Sequence, residues 1–345
     1  MPSDTRIGVT VLTGFLGSGK TTLLNRMVGT PRFAESAVVV NEFGSVGVDH
    51  HLVRHVGENV RVLEGGCICC MVRGGLADTL RDLFLLALRR AIKPFRHVLI
   101  ETSGLASPAP VLFTLRHEPF LAERYVYEGT IAVVDAQRAS MQVDTQPEAG
   151  QQIALADEVA VTKLDLATPV QRQAALDAVR AVNPAANVHE LAPDGAVPPA
   201  LLATRLYRGR AGAASAGSPW LARYGATAGR GAKIVAAHDV AVITFVLPPS
   251  TTRAGFLRGM AALQTELGAS LLRMKGLVRF ADDGKPMAVH GVHDQLYPMV
   301  ELSEWPDSEE DARVVFIARG IEPAVLDRRV RWHLGQGQAR GAEPY

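Results

Sequence analysis

The sequence has almost no cysteine: three in 345 residues, Cys67, Cys69 and Cys70. An odd number packed that closely cannot build a disulfide framework, and a reducing compartment would keep such thiols free. Charge of one sign is lacking too. The 36 Lys and Arg face 35 Asp and Glu, a net charge of +1, so there is neither the basic excess that nucleic acid attracts nor an acidic tail. Long apolar runs are missing: LFLLAL at 83–88 falls far short of the ~20 residues that span a bilayer. The start, MPSDTRIGVTVLTG, has no charged region leading into an apolar stretch and a small-residue cleavage site, so no secretory signal is read. These absences predict a cytoplasmic protein with no membrane or nucleic-acid partner. No histidine-rich run is present, which argues against bulk metal storage, and no internal repeat is found.

What is present alternates. The runs 7–12 (IGVTVL), 37–41 (AVVVN), 97–101 (HVLIE), 130–135 (TIAVVD) and 157–162 (DEVAVT) read as buried strands. Helical periodicity fills 20–28, 75–92 and 169–182; in the second, Leu76, Leu80, Leu83, Phe84 and Leu88 form one apolar stripe. The expected fold is α/β, a phosphate-loop domain with a mostly parallel sheet covered on both faces, followed by a smaller α+β domain. The boundaries are expected at 1–207 for the first domain, 208–238 for a Gly-, Ala- and Ser-rich linker or loop, 239–335 for the second domain and 336–345 for a tail. The second domain reads as a strand at 240–247, a helix at 252–267, three short strands, a strand at 312–318 and a helix at 323–334.

The strongest motif is Gly14-Phe-Leu-Gly-Ser-Gly-Lys-Thr21. It fits G-x-x-x-x-G-K-[ST] and stands between a strand and a helix, as a phosphate loop must. Gly14, Gly17, Ser18, Gly19 and Thr22 would offer backbone N–H groups around phosphate oxygens, at the positive end of the following helix. Lys20 would reach the β- and γ-phosphates, and the Thr21 hydroxyl would ligate Mg²⁺. Glu101, ending the 97–101 run, is the expected carboxylate on the Mg²⁺ side, and Gly104 the backbone N–H that senses the γ-phosphate.

Thr162-Lys163-Leu164-Asp165 follows the 157–162 strand. Asp165 can accept from N1–H and the exocyclic amine of guanine, whereas adenine offers it no matching donors, so GTP and GDP are favoured over adenine nucleotides. The Lys163 stem can lie over the base. Thr162 stands where Asn is usual, which is expected to weaken the tie to the phosphate loop.

Gly65-Gly66-Cys67-Ile68-Cys69-Cys70 lies between the phosphate loop and Glu101. Three thiols suit a soft or borderline cation such as Zn²⁺ or Cu⁺, whereas the four thiols of an iron–sulfur cluster are missing. Zn²⁺ prefers four ligands, so one more must come from a carboxylate, a histidine or water. Glu42 is a candidate; His50, His51 and His55 are weaker ones, and His290 and His293 read as structural or surface residues. Buried apolar cysteines or a redox pair are the bland alternatives. The segment 41–49 and the one after Glu101 are where a γ-phosphate would order loops, so a metal site between them could differ between nucleotide states.

Together, GFLGSGKTTLLN, VVVNEFG, GGCICC, IETSGLASPAPV and TKLD resemble the CobW-like GTPases, relatives of the UreG and HypB metallochaperones. The likeness extends to 271–280 (LLRMKGLVRF) and 290–298 (HGVHDQLYP), which look like that family's C-terminal domain. The resemblance implies GTP hydrolysis linked to insertion of Zn²⁺, Co²⁺ or another transition metal into a client protein. It also implies nucleotide binding at Gly14–Thr22 and Asp165, and metal binding at Cys67, Cys69 and Cys70 with Glu42 nearby. Two features depart from the family: Ser45 stands where many relatives carry an acidic residue, and 208–238 lacks the histidine-rich stretch of some members, leaving His238 alone. The expected protein is a slow, metal-responsive GTPase with a client metalloprotein as partner, a monomer or a nucleotide- or metal-dependent homodimer. A nucleotide-gated metal buffer or sensor and a phosphate-loop small-molecule kinase are the rival readings.

Overall fold

The computed structural model describes residues 5–41, 60–63, 75–202, 234–237, 239–302, 305 and 312–335. The chain separates into two compact units, one built mainly from the residues up to 202 and the other from those after 233, with Ala181–Ala185 grouped with the second.

In the first unit β1 (Ile7–Thr13) leads through the phosphate loop into α1 (Lys20–Val28). Then come β2 (Ser36–Asn41), β3 (Val60–Leu63), α2 (Leu76–Leu88) and β4 (His97–Glu101). A helical stretch follows, α3 (Ala109–His117) and α4 (Pro119–Arg124), before β5 (Tyr125–Asp135). The unit closes with α5 (Ala139–Thr145), α6 (Pro147–Leu155), β6 (Glu158–Thr162), α7 (Pro169–Val182), β7 (Asn187–Glu190) and α8 (Pro199–Leu202). The sheet has seven strands in the order β3-β2-β4-β1-β5-β6-β7. Where a mostly parallel sheet was expected, every described pairing in it is parallel.

β1 is central because Val9, Val11 and Leu12 leave nothing exposed on either face, as a strand covered by helices on both sides requires. Leu23, Leu24 and Met27 of α1 pack with Leu12, Val38, Leu99, Ile131 and Val133 of the sheet. Each such side chain stabilises the fold by about 1.5–3 kcal/mol. β5 starts at Tyr125, five residues before the run read from the sequence, and its eleven residues are all buried. Glu128, in this unforeseen part, meets Arg32 at 3.4 Å and His97 Nδ1 at 3.3 Å. A side chain at Gly8 would collide with the Glu128 carboxyl group, 2.4 Å from its Cδ. α2 is shorter than expected: Leu76, Leu80 and Leu83 are buried, but the chain leaves the helix at Arg90 (φ +59°) and Leu88 is exposed.

The second unit contains β8 (Ile234–Ala237), β9 (Val240–Val246), α9 (Arg253–Leu267), β10 (Leu271–Arg279), β11 (Pro286–Val292), β12 (Gln295–Leu296), β13 (Val300–Glu301), β14 (Arg313–Arg319) and α10 (Pro323–Leu334). Its sheet is antiparallel, in the order β12-β11-β10-β14-β9-β8 with β13 on β11. Four strands, two of them long, stand where three short ones were expected, and β8 falls inside the stretch read as linker. Phe256, Met260 and Leu263 of α9 and Leu326 and Val330 of α10 join Met274, Val289, Phe316 and Ile243 of the sheet in one core. Thr252 caps α9 by accepting from the Gly255 N–H at 3.1 Å. Among the described residues no helix is long and apolar enough to cross a membrane.

Candidate functional site

The site gathers at the carboxyl ends of β4, β1, β5 and β6, four neighbours in the sheet. After Thr13 the chain enters a turn that side chains oppose: Gly14, Gly17 and Gly19 have φ of +143°, +73° and +95°. Such angles cost little only in glycine, and a Cβ on Gly14 would stand 2.3 Å from the Val133 carbonyl. α1 then opens at Lys20 with no side-chain cap and no acidic residue in its first turn. Its first N–H groups and the positive end of its dipole therefore remain available to an anion. Lys20 is folded in, its ammonium donating to the Phe15 carbonyl at 3.3 Å. Ser18 is fully buried, and Thr22 follows in the first turn of α1.

The Thr21 hydroxyl donates to Glu101 Oε1 at 2.7 Å, across 80 residues of sequence. These two hard oxygens are the donor set that Mg²⁺ takes, so the residues fit that ion. The chain beyond Glu101 is pinned to β1, because the Thr102 N–H donates to the Leu12 carbonyl at 2.9 Å and its hydroxyl to Thr13 Oγ1 at 2.9 Å. Gly104 then abuts the phosphate loop so closely that a Cβ would lie 2.8 Å from the Leu16 nitrogen.

The Thr162–Asp165 segment is fastened more firmly than its sequence suggests. The Thr162 hydroxyl lies 2.7 Å from the Ser18 carbonyl and 3.1 Å from that of Val134. It therefore supplies the tie to the phosphate loop that the missing Asn was expected to cost. Lys163, in the left-handed region at φ +56°, forms a 2.8 Å ion pair with Asp135 at the end of β5. Asp135 also accepts from the Gln137 N–H at 2.9 Å, and the Gln137 side chain donates to the Leu166 carbonyl at 2.7 Å. Asp165 itself is exposed. Asp135 and Gln137 were missed in the sequence, although Asp135 ends a strand just as Glu101 does.

Cys67, Cys69, Cys70 and Glu42 lie outside the described residues, as do Ser45, His50, His51, His55 and His238. Among the described residues no three His, Cys, Asp or Glu side chains cluster as a metal site would require. His290 is buried on β11, opposite Lys275 of β10. His293 lies in the turn after β11 with φ +50°, and burial lowers its pKa below the ordinary histidine value.

Residues 8–190 match the CobW/HypB/UreG nucleotide-binding domain. The chain belongs to the CobW/HypB/UreG family. Residues 240–332 match the cobalamin synthesis protein CobW C-terminal domain. Among curated CobW-family relatives, the zinc chaperone YjiA of Escherichia coli is 39% identical over 166 residues, covering 48% of this chain and 52% of that protein. The zinc-regulated GTPase metalloprotein activator 1 of Schizosaccharomyces pombe is 31% identical over 167 residues, 46% of this chain and 39% of that one. The chain thus spans about half or less of these relatives. The fold is also similar to the Zn(II)-bound YjiA GTPase from E. coli, with TM-score 0.66 and 25% identity, covering 95% of this chain and 99% of that one.

Proposed function

We propose that this chain is a GTP-hydrolysing metallochaperone that carries a transition metal on Cys67, Cys69 and Cys70, with Glu42 nearby, and delivers it to a client metalloprotein. Zn²⁺ is the first candidate cargo and Co²⁺ the second. The observation that carries the nucleotide half is the bond of Thr162 to Ser18, which joins a guanine-reading segment to a phosphate loop. The names of the similar proteins support the metal half, as does the thiol chemistry of the cysteine cluster.

In this reading Gly14, Gly17, Ser18, Gly19 and Thr22 cradle the phosphates, Asp165 reads guanine and Lys163 covers the base. Water attacks the γ-phosphorus, the bond to the β–γ bridging oxygen breaks with GDP as leaving group, and the water's proton passes to the phosphate released. The Lys20 ammonium offsets charge developing on the phosphate oxygens, so catalysis is mainly positioning and electrostatics. Thr21 and Glu101 would hold Mg²⁺, which when bound would supply charge neutralisation for the phosphates. Gly104 meets the γ-phosphate through its backbone N–H. Slow intrinsic turnover, stimulated by metal or client, is expected of a cytoplasmic carrier of this kind.

The test is a competitive Zn²⁺ and Co²⁺ titration of the reduced protein against a chromophoric chelator, with Mg-GDP and with Mg and a non-hydrolysable GTP analogue. The expected result is 1:1 binding, tighter with the analogue and lost when the three cysteines are changed to serine. Equal affinity in both states would leave a metal buffer or a structural site. Turnover that requires an acceptor molecule would point to a kinase.

A further inference from the structure

The loop after Glu101 is held from a direction that the nucleotide reading does not use. Gln152 on α6 is 1% exposed, and its amide nitrogen donates to the carbonyls of both Gly104 and Ala106 at 3.0 Å. Both amide hydrogens are thereby spent on one loop, 46 and 48 residues away in sequence. Gln152 also lines the small cavity beneath the phosphate loop, with Gly14, Phe15, Val133 and Gln142.

We propose that Gln152 is a positioning residue that holds the Gly104–Ala106 loop docked on the phosphate loop, and that it thereby sets the preference for a nucleoside triphosphate over a diphosphate. This rests on the nucleotide reading given above. A peptide unit is planar, so a carbonyl drawn toward α6 turns the N–H of the same unit the other way. The Gly104 and Ala106 carbonyls are fixed by Gln152, so the Leu105 and Ser107 N–H groups face away from α6. Gly104 itself has no room even for a methyl group against the Leu16 backbone. The loop is therefore clamped between a buried amide and the phosphate loop, and Gln152 is the part of the clamp that a side-chain substitution can release.

A buried glutamine that merely satisfied two carbonyls would affect stability alone. A positioning role separates the two nucleotides, because only the triphosphate carries the group that this loop would meet. The experiment compares wild type with Gln152→Leu, which has no donor, and Gln152→Asn, which is too short to reach. Affinities for GDP and for a non-hydrolysable GTP analogue are measured alongside thermal melts. Losing these hydrogen bonds should weaken analogue binding about tenfold or more while GDP affinity changes by less than about twofold. Hydrogen exchange on wild-type protein needs no variant: the Gly104 amide, which the nucleotide reading sets against the γ-phosphate, should exchange more slowly with the analogue than with GDP. Equal losses for both nucleotides, or identical exchange at the Gly104 amide in both states, would overturn the inference. Wild-type protein that binds neither nucleotide would instead sink the nucleotide reading itself.

Discussion

Replacing Thr162 with valine keeps the shape of the side chain and removes only the hydroxyl that bridges the Thr162–Asp165 segment, the proposed base reader, and the phosphate loop. In wild type that hydroxyl lies 2.7 Å from the Ser18 carbonyl and 3.1 Å from the Val134 carbonyl. One net hydrogen bond is worth about 0.5–1.5 kcal/mol, and a buried carbonyl left without a donor costs about 1–3 kcal/mol. Ser18 is fully buried, so its carbonyl gains no water in exchange, and a total near 1–2 kcal/mol, within that range, is expected. Much of this should appear as nucleotide affinity, because the tie pre-organises two loops that must grip one ligand together. The expected loss is about 5- to 30-fold, and it should be equal for GDP and a GTP analogue, since the tie lies on the base side. Fluorescent-nucleotide titration with a parallel thermal melt measures both quantities. Thr162→Asn, the residue usual at this position, should recover much of the affinity. A valine variant with wild-type affinity and an unchanged melt would refute the idea that this hydroxyl joins the two loops.

Two more predictions concern other parts of the molecule. Asp165→Asn should lower GTP affinity by at least about a hundredfold, because the carboxylate's match to two guanine donors is lost. The same variant should gain affinity for XTP, whose 2-oxo group an amide can donate to; retained GTP preference in a competition assay would count against Asp165 as the base reader. His293 has a pKa lowered by burial, so above about pH 6.5 it is neutral in both folded and unfolded chains and adds no pH dependence. As pH falls through that ordinary value the unfolded chain takes up the proton that the folded one resists, and stability drops until the folded pKa is passed. Melts from about pH 8 to pH 5.5 should show a smaller decline for His293→Asn, asparagine tolerating the left-handed backbone there; an identical decline would remove His293 as the cause.

The parts of the fold legible in the sequence were those written locally. Val9, Val11 and Leu12 run straight into Gly14–Thr21, so strand, turn and helix are specified by adjacent residues, and the structure joins them in that order. β5 was legible only from Thr130 because Glu128 and Gly129 look like a break. The partners that let Glu128 be buried, Arg32 and His97, lie 96 and 31 residues away. Gln152 was silent for the same reason: in a run of glutamine and alanine nothing marks the residue that reaches back to Gly104. Thr162 was legible as a position and misjudged as a contact. A hydroxyl on the strand end suffices because Ser18 comes within 2.7 Å of it, a closeness set by β1, β5 and β6 lying side by side.

The parallel sheet also acts as a ruler. Glu101 ends β4 and Thr162 ends β6, with β1 and β5 between them. Three inter-strand steps of about 4.8 Å separate the end of the Glu101 strand from that of the Thr162 strand, roughly 14 Å in all. No loop can alter that span, because it is fixed by backbone hydrogen bonds between four adjacent strands. A ligand must therefore place its charged end and its ring system about that far apart to engage both at once. Inorganic pyrophosphate, which reaches one end, and guanosine, which reaches the other, should each bind far more weakly than the intact nucleotide. Under the proposed nucleotide reading, length is then as much a criterion of recognition as base identity.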